Sequence, residues 1–211
     1  MNWTTELFAA FNSRDVARLR RAVIPSLELN RMHGILHPLG FYEFRLAESE
    51  KVTVRLHYWP DGEREVGTAI TPYHDHVWAL LSCILAGQIE NVMLDLVIDE
   101  SGQYQLAYIN QNAKTDSVVP ASSRVTLRER SRDVHPTGIF YEIPPREFHY
   151  TDVKPGQSAI TIVRATVMVE GGPRTLLPIG ADGHAPSRVP LADPAPVIAE
   201  ISKLIESSED S

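Results

Sequence analysis

The chain has 211 residues, 43% of them hydrophobic and 22% charged, a balance that predicts a packed core rather than a disordered chain. Its net charge is −7 without a basic block, which argues against a nucleic-acid partner and favours a small molecule. No apolar run reaches the roughly 20 residues of a membrane span, and the start lacks the features of a signal peptide. We therefore expect no membrane partner and a cytoplasmic location. The single cysteine, Cys83, excludes an internal disulfide.

The first 40 residues are predicted to form a helical extension. Large apolar side chains recur there at helical spacing, at Trp3, Leu7, Phe8 and Phe11. A break at residues 12–13 is followed by a second predicted helix, from Asp15 to about Val23. Two helices at the start of the chain are therefore expected.

The connection after the second helix is predicted to be irregular. Pro25 and the glycines at both ends of residues 34–40 interrupt any regular period. His33 and His37 lie in this stretch. We interpret both as loop or surface histidines.

From residue 41 the pattern changes to short extended runs that predict strands. The clearest run is 52–59, where Arg55 and His57 fall on one face and alternate with apolar residues on the other. Residues 110–135 are polar without a clear period and predict a hairpin or a surface excursion. The predicted strands are 41–46, 52–59, 78–86, 88–98, 104–109, 139–143, 148–153 and 159–170.

The end of the chain is predicted to be an extension of the barrel. Residues 171–196 are rich in proline and glycine, and a short helix is predicted at 197–205. No linker divides the chain, so we expect one domain over residues 1–211. Helices first and short strands afterwards predict an antiparallel β-barrel over residues 41–170, with helical additions at the ends.

Two blocks of sequence concentrate the residues that bind metals. The first runs from Gly67 through His74-Asp-His76 to Gly87, and alternation along a strand turns both imidazoles to one face and Asp75 to the other. The second runs from Gly138 through Pro144 to His149. A third imidazole from His149 joins the first two if the chain folds back.

These two blocks resemble the two sequence motifs of the cupin superfamily. Gly138, Pro144 and His149 match the second motif in register, with Arg146 where the family usually has glycine. In the first block Gly87 stands at the expected distance, whereas Gly67 lies one residue too far upstream. The resemblance covers roughly residues 52–170. It implies a mainly β fold, a cupin (double-stranded β-helix, or jelly-roll) barrel with N-terminal helices and a short C-terminal helix.

The chain departs from the cupin pattern at a ligand position. The usual glutamate of the first motif falls at Leu80 or Leu81, neither of which binds a metal. The resemblance therefore implies a three-histidine site, formed by His74, His76 and His149. Iron(II) is the expected metal, with zinc as the alternative. Glu90 or Asp95, on the next strand, is the alternative source of a carboxylate ligand.

Within the cupins, a three-histidine iron site resembles the thiol dioxygenases, of which cysteine dioxygenase is the type. The resemblance implies a mononuclear non-haem iron(II) enzyme, an oxidoreductase that combines dioxygen with a small carboxylate-bearing or thiol metabolite. It also implies an arginine that holds the substrate carboxylate, and Arg55, beside His57, or Arg164 is the candidate. The serine–histidine–tyrosine set of that family is not complete on residues 159–166.

Two alternatives remain open at this point. Hydrazine-forming cupins use zinc to join two nitrogens in biosynthetic pathways, and another possibility is a cupin that only binds a small ligand. In either enzymatic scheme Tyr73, Tyr141 and Tyr150 flank the ligands and are candidates for proton donors or hydrogen-bond partners. Trp78 is predicted to point into the barrel as a wall. A homodimer is expected from the resemblance alone.

Overall fold

Two antiparallel sheets, preceded by two helices and followed by a third, form the protein. The computed structural model describes residues 2–60, 71–111, 116–167, 169–181 and 188–208. The helices are α1 (Trp3–Ser13), α2 (Val16–Asn30) and α3 (Ala195–Ser207), with a 3-10 turn at Arg31–His33 after α2. Among the described residues, no helix has the length and apolar character needed to cross a membrane.

The strands divide into a seven-stranded sheet, in the order β12-β1-β2-β3-β10-β4-β8, and a five-stranded sheet, in the order β11-β6-β7-β5-β9. Their bounds are β1 (Gly34–Leu36), β2 (Tyr42–Glu48), β3 (Val52–Trp59), β4 (Trp78–Ala86), β5 (Gln88–Ile98), β6 (Tyr104–Gln111), β7 (Asp116–Pro136), β8 (Phe140–Ile143), β9 (Phe148–Asp152), β10 (Ala159–Val167), β11 (Arg174–Pro178) and β12 (Val189–Pro190). This architecture confirms the predicted mainly β class with helices at both ends.

The N-terminal helices form where the sequence predicts them, but the second is longer. The Asp15 side chain caps α2 by accepting a hydrogen bond from the Arg18 N–H at 2.9 Å. Pro25, predicted to end the helix, lies inside it. The apolar face continues beyond the proline, since Leu27 is fully buried. Packing of that face outweighs the hydrogen bond that proline cannot donate.

The main hydrophobic core lies between the helices and the outer face of the seven-stranded sheet. Alternation along β3 places Val54, Leu56 and Tyr58 in this core. Arg55 and His57 face the other way, into a cavity between the two sheets. The predicted division of this strand into two faces is therefore confirmed.

Residues predicted to be a hairpin or a surface excursion contribute most of the longest strand, and its antiparallel pairing with β6 agrees with the hairpin. β7 spans 21 residues and pairs with β5 on one side and β6 on the other. Its sequence is polar because one face carries charged side chains that pair across the strands, such as Arg132 with Glu90. The alternation is also broken by a register shift opposite Met93 and Leu94.

The C-terminal stretch predicted to be irregular contributes β11 to the five-stranded sheet. Thr175, Leu176 and Leu177 are buried, but this run is too short to give a recognisable period. His74 forms single-residue antiparallel bridges with both Thr175 and His149. The segment around His74 thus joins the two edges of the five-stranded sheet.

Gly87 makes the tight turn between β4 and β5. Its φ is +72°, and a Cβ at this position would lie 2.1 Å from the Ser158 carbonyl oxygen. Only glycine fits both the conformation and the space. The glycine that closes the first motif is therefore required by the backbone. Gly67, at the other end of the motif, lies outside the described residues.

Candidate metal centre

Three histidines converge at one end of the cavity. Their candidate ligand nitrogens all lie within 4.8 Å of one another. The ring centroid of His74 lies 4.7 Å from that of His76 and 4.7 Å from that of His149. The centroids of His76 and His149 are 5.1 Å apart. His149 comes from β9, as predicted. His74 and His76 precede β4 in an extended segment that is not a regular strand, yet their side chains still share a face.

Backbone carbonyls orient two of the rings. The Nδ1 of His74 lies 2.7 Å from the Pro72 carbonyl oxygen, and the Nδ1 of His149 lies 3.3 Å from that of Glu147. A carbonyl only accepts, so each Nδ1 carries the hydrogen and donates. The Nε2 of each ring keeps its lone pair for a ligand.

Burial holds these imidazoles neutral. It lowers the pKa of His74, and it lowers that of His149 to about 3. Burial also lowers the pKa of His76 well below its usual value, and charge on either neighbouring histidine would lower it further. Neutral imidazoles with free Nε2 atoms are what a divalent transition metal requires. The donor set therefore fits a mononuclear divalent metal.

The position of the missing glutamate is occupied by leucine on the cavity wall. Leu80 lines the cavity, whereas Leu81 faces the opposite side and packs in the main core. Neither Glu90 nor Asp95 lines the cavity. Glu90 pairs with Arg132 and Lys154, and Asp95 pairs with Arg130. Among the described residues the cluster therefore consists of three histidines without a carboxylate.

A second polar group faces the same cavity, which has a volume of about 510 Å³. The Glu43 carboxylate lies 3.7 Å from both Arg55 and the Nε2 of His57. Neither contact is a hydrogen bond, and among the described residues the buried Arg55 Nε and His57 Nε2 have no hydrogen-bond partner. The Arg55 guanidinium also lies 5.4 Å from the Trp78 ring centroid. The structure thus places Arg55, His57 and Trp78 on the wall of one cavity.

Burial and neighbouring charges shift the pKa values of Glu43 and His57. Burial alone would raise the pKa of Glu43, but Arg55 and His57 together bring it below its usual value. Burial lowers the pKa of His57 to about 4, against the opposing effect of Glu43. At neutral pH the group therefore contains a carboxylate, a guanidinium and a neutral imidazole.

His37 belongs to the cavity and not to the surface. Its ring stacks on Phe41 with centroids 4.3 Å apart, and its Nδ1 accepts a hydrogen bond from the Leu39 N–H at 3.2 Å. Burial lowers its pKa well below the usual value. His37 lies in the loop between β1 and β2, as the first of the two predicted settings requires, but this loop turns inward, so its ring lines the cavity and is not at the surface. His33 is exposed, as predicted.

Of the three candidate tyrosines, the structure brings one side chain clearly to the cavity. Tyr141 lines it, and burial raises the pKa of its phenol to about 12. Tyr150 contributes to the wall, but its hydroxyl accepts a hydrogen bond from Arg132 at 3.1 Å. Tyr73 does not line the cavity and packs edge-on against Tyr104 and Tyr150.

Arg164 is not brought to the site. It lies on the face of β10 that turns towards α1, where it donates to the Asn12 side chain at 2.8 Å and lies 5.8 Å from the Phe11 ring centroid. In the register of β10 with β3, it pairs with Val54, a core residue, whereas Arg55 pairs with Val163. Because side chains alternate along β3 and β10, Arg55 faces the cavity, whereas Arg164, the other candidate, faces α1.

The sequence did not predict the buried ion pair between Asp75 and Arg174, which lies beside the candidate metal ligands. Asp75 is fully buried, and its carboxylate accepts hydrogen bonds from the backbone N–H and the Nε of Arg174, both at 2.6 Å. Alternation predicted that Asp75 faces away from the two histidines, which is confirmed. Its partner lies 99 residues further along the chain, and no local signal identifies such a partner.

Comparisons with known proteins give matches at the level of structure. No family model and no curated protein matches the sequence. The DMSP lyase DddQ from Ruegeria pomeroyi DSS-3 is similar over 80% of this chain and 70% of its own, at 17% identity and a TM-score of 0.45. A cupin superfamily protein from Desulfitobacterium hafniense DCB-2 is similar over 60% of this chain and 76% of its own, at 13% identity and a TM-score of 0.33. The polyketide cyclase RemF from Streptomyces resistomycificus is similar over 66% of this chain and 71% of its own, at 14% identity and a TM-score of 0.37.

The two antiparallel sheets, the terminal helices and the placement of both histidine motifs agree with the cupin barrel that the sequence resembles. The cluster of His74, His76 and His149 fits a three-histidine metal site.

Proposed function

We propose that the protein is a metal-dependent enzyme that acts on a small anionic molecule. The observation that carries this proposal is the convergence of three neutral imidazoles, the buried His149 and the half-buried His74 and His76, on a cavity whose wall also contains Arg55. Iron(II) is the preferred metal and dioxygen the preferred co-substrate, as the resemblance to thiol dioxygenases implies. When bound, the metal would supply Lewis acidity and, as iron(II), the redox chemistry that dioxygen requires.

The Arg55 guanidinium and a bound divalent ion together would favour an anionic substrate. Arg55 and Arg188 line the cavity with two acidic residues, Glu43 and Asp152, whereas the buried Asp75 is paired with Arg174, so the excess positive charge would come from the ion. A carboxylate or similar oxyanion bound by the Arg55 Nε and the His57 Nε2 would satisfy two buried nitrogens that now lack partners. Arg55 would anchor the substrate, and the neutral His57 would donate to it or accept a proton from it.

The rest of the wall would orient an organic substrate and exclude water. Leu80, Trp78, Trp59 and Phe41 present apolar surface to the cavity. Desolvation strengthens an ion pair between Arg55 and a substrate anion. A small metabolite with an anionic group at one end and a metal-binding group at the other suits this arrangement.

A second candidate function is a non-redox bond rearrangement at zinc. The observation that favours it is Tyr141, whose phenol lines the cavity. A phenol is protonated at neutral pH and would donate a hydrogen bond or a proton without any oxidant, although burial raises its pKa to about 12 and so makes it a weaker acid. Three nitrogen ligands and an open position also suit zinc.

Metal analysis and oxygen uptake separate the two candidates. Protein purified without added metal is analysed for iron and zinc and then assayed for oxygen consumption with a panel of small carboxylates, with and without a thiol. Stoichiometric iron and substrate-dependent oxygen uptake are expected. Stoichiometric zinc without oxygen uptake on any panel member would contradict the dioxygenase and favour the rearrangement.

A matched pair of arginine variants tests the anion anchor. Arg55→Lys keeps the charge but removes the planar fork, so we expect KM for the carboxylate substrate to rise about tenfold or more. Arg164→Lys, on the outer face of β10, should leave KM unchanged. Equal effects of the two variants would contradict the assignment of Arg55.

A further inference from the structure

Asp75 is a buried carboxylate placed between two metal ligands and facing away from the cluster. It has no exposed surface and is held by the backbone N–H and the guanidinium of Arg174. The Asp75 N–H donates in turn to the Arg174 carbonyl at 2.9 Å. These contacts fix the segment from His74 to His76 onto β11.

Arg146 connects the same segment to the turn before His149. Its N–H donates to the His76 carbonyl at 2.8 Å, and its own carbonyl accepts from Arg174 at 3.3 Å. Its guanidinium lies 3.8 Å from the Asp75 carboxylate and donates to the Gly172 carbonyl at 2.7 Å. Both histidine motifs therefore meet at one buried aspartate and two arginines.

This arrangement carries two energetic costs. Arg146 has a φ of +68°, where the cupin motif usually has glycine, and a side chain makes this left-handed conformation unfavourable. A buried carboxylate is also destabilising unless it is fully paired. The arginine side chain offsets both costs by binding Asp75 and the carbonyls of residues 170 and 172. A glycine at this position would relieve the backbone but lose those bonds.

We propose that Asp75, with Arg146 and Arg174, is a positioning residue that sets the affinity of the three-histidine site for its metal. The inference rests on the metal site proposed above. The contacts among these three residues fix the distance between the segment that carries His74 and His76 and the turn that precedes His149. Residues that orient metal ligands from outside the coordination sphere typically contribute about 10- to 100-fold in metal affinity.

The test is a metal titration of Asp75→Asn, which keeps the shape of the side chain and removes its charge. Affinity for Co²⁺ and Zn²⁺ is measured by competition with a chromophoric chelator, and the visible spectrum of the Co²⁺ protein reports the ligand geometry. We expect the affinity to fall by about 10- to 100-fold and the spectrum to change. Asp95→Asn removes a half-exposed ion pair with Arg130 and should change neither.

Two further variants keep the inference testable if Asp75→Asn fails to fold. Arg146→Gly accepts the positive φ without strain. A loss of metal affinity in this variant would therefore be caused by the missing side chain and not by a change in the backbone. Arg174→Lys keeps the charge and removes the Nε–H that binds Asp75. We expect both to weaken metal binding by at least fivefold.

Three outcomes separate the possible failures. If the variants fold, melt at a lower temperature and bind Co²⁺ within twofold of the unmodified chain, Asp75 is only structural and the inference is overturned. If metal affinity falls while the apo-protein melts as before, the inference is supported. If the unmodified chain binds neither Co²⁺ nor Zn²⁺, the metal site itself is wrong, and the inference falls with it.

Discussion

His74 and His149 form a single-residue antiparallel bridge in which each backbone N–H donates to the carbonyl of the other, at 3.1 Å and 3.0 Å. Directly opposed residues in such a pair place their side chains on the same side. Two of the three candidate ligands are therefore brought together by main-chain hydrogen bonds. Their meeting does not depend on the imidazoles themselves.

Removing one imidazole should therefore empty the metal site without unfolding the protein. We expect His149→Ala to lose its stoichiometric metal while its far-ultraviolet circular dichroism is unchanged, because the bridge to His74 uses only the backbone. Elemental analysis after desalting measures the metal. His33→Ala, at an exposed histidine, is the control and should retain it. Metal retained by His149→Ala would contradict the site.

Restoring the missing glutamate should add a fourth ligand. Leu80 lines the cavity at the position where the cupin motif usually has glutamate. We expect Leu80→Glu to bind Co²⁺ more tightly, with a changed visible spectrum, because a carboxylate ligand neutralises part of the charge of the ion. Leu80→Gln has nearly the same size and no charge. An identical spectrum for both variants would show that position 80 does not reach the ion.

Local pattern was sufficient for much of the site. Alternation along β3 placed Arg55 and His57 on the cavity face because one face of that strand is buried in the helical core and the other is not. The resemblance of the two motifs to those of the cupins implied the three-histidine cluster, whereas alternation alone predicted only that His74 and His76 share a face. The first motif closes on Gly87 for a physical reason, since the turn it makes leaves no room for a side chain.

Pairs formed between distant segments were not predictable in the same way. Glu43 and Asp75 are ordinary acidic residues in sequence, and only the fold gives them buried cationic partners. Pro25 predicts the end of a helix, yet α2 and its buried face continue past this residue. The burial of Thr175 depends on β6, a strand that lies far away in sequence. Such contacts leave no periodic signal in one sequence.

The Glu43–Arg55 pair should contribute to stability even though its distance is long. Arg55→Met leaves the buried Glu43 with one cationic neighbour fewer, so we expect a loss of about 3 kcal/mol in the free energy of unfolding. The double variant with Glu43→Gln should recover part of that loss, because no unpaired carboxylate remains buried. Urea unfolding of all four proteins measures the coupling. Strict additivity of the two single effects would show that the residues do not interact.

Acid should destabilise the metal-free protein before its carboxylates are protonated. Burial lowers the pKa of His57 to about 4 and that of His149 to about 3, whereas an unfolded histidine has a pKa of about 6.5. Below about pH 6.5 the unfolded chain therefore binds protons that the folded chain does not, and the equilibrium shifts towards unfolding. Each such histidine contributes a slope of up to about 1.4 kcal/mol per pH unit, down to its folded pKa.

Urea unfolding of the apo-protein between about pH 7 and about pH 5 isolates this effect, since most carboxylates stay ionised in that window. We expect the free energy of unfolding to fall steadily as the pH decreases. His149→Gln cannot take up a proton, so its slope should be smaller than that of the unmodified chain. His33→Gln, at an exposed position, should keep the full slope. A slope equally steep in His149→Gln would mean that His149 is not held neutral by burial, and the account of the cluster as preset neutral ligands would be wrong.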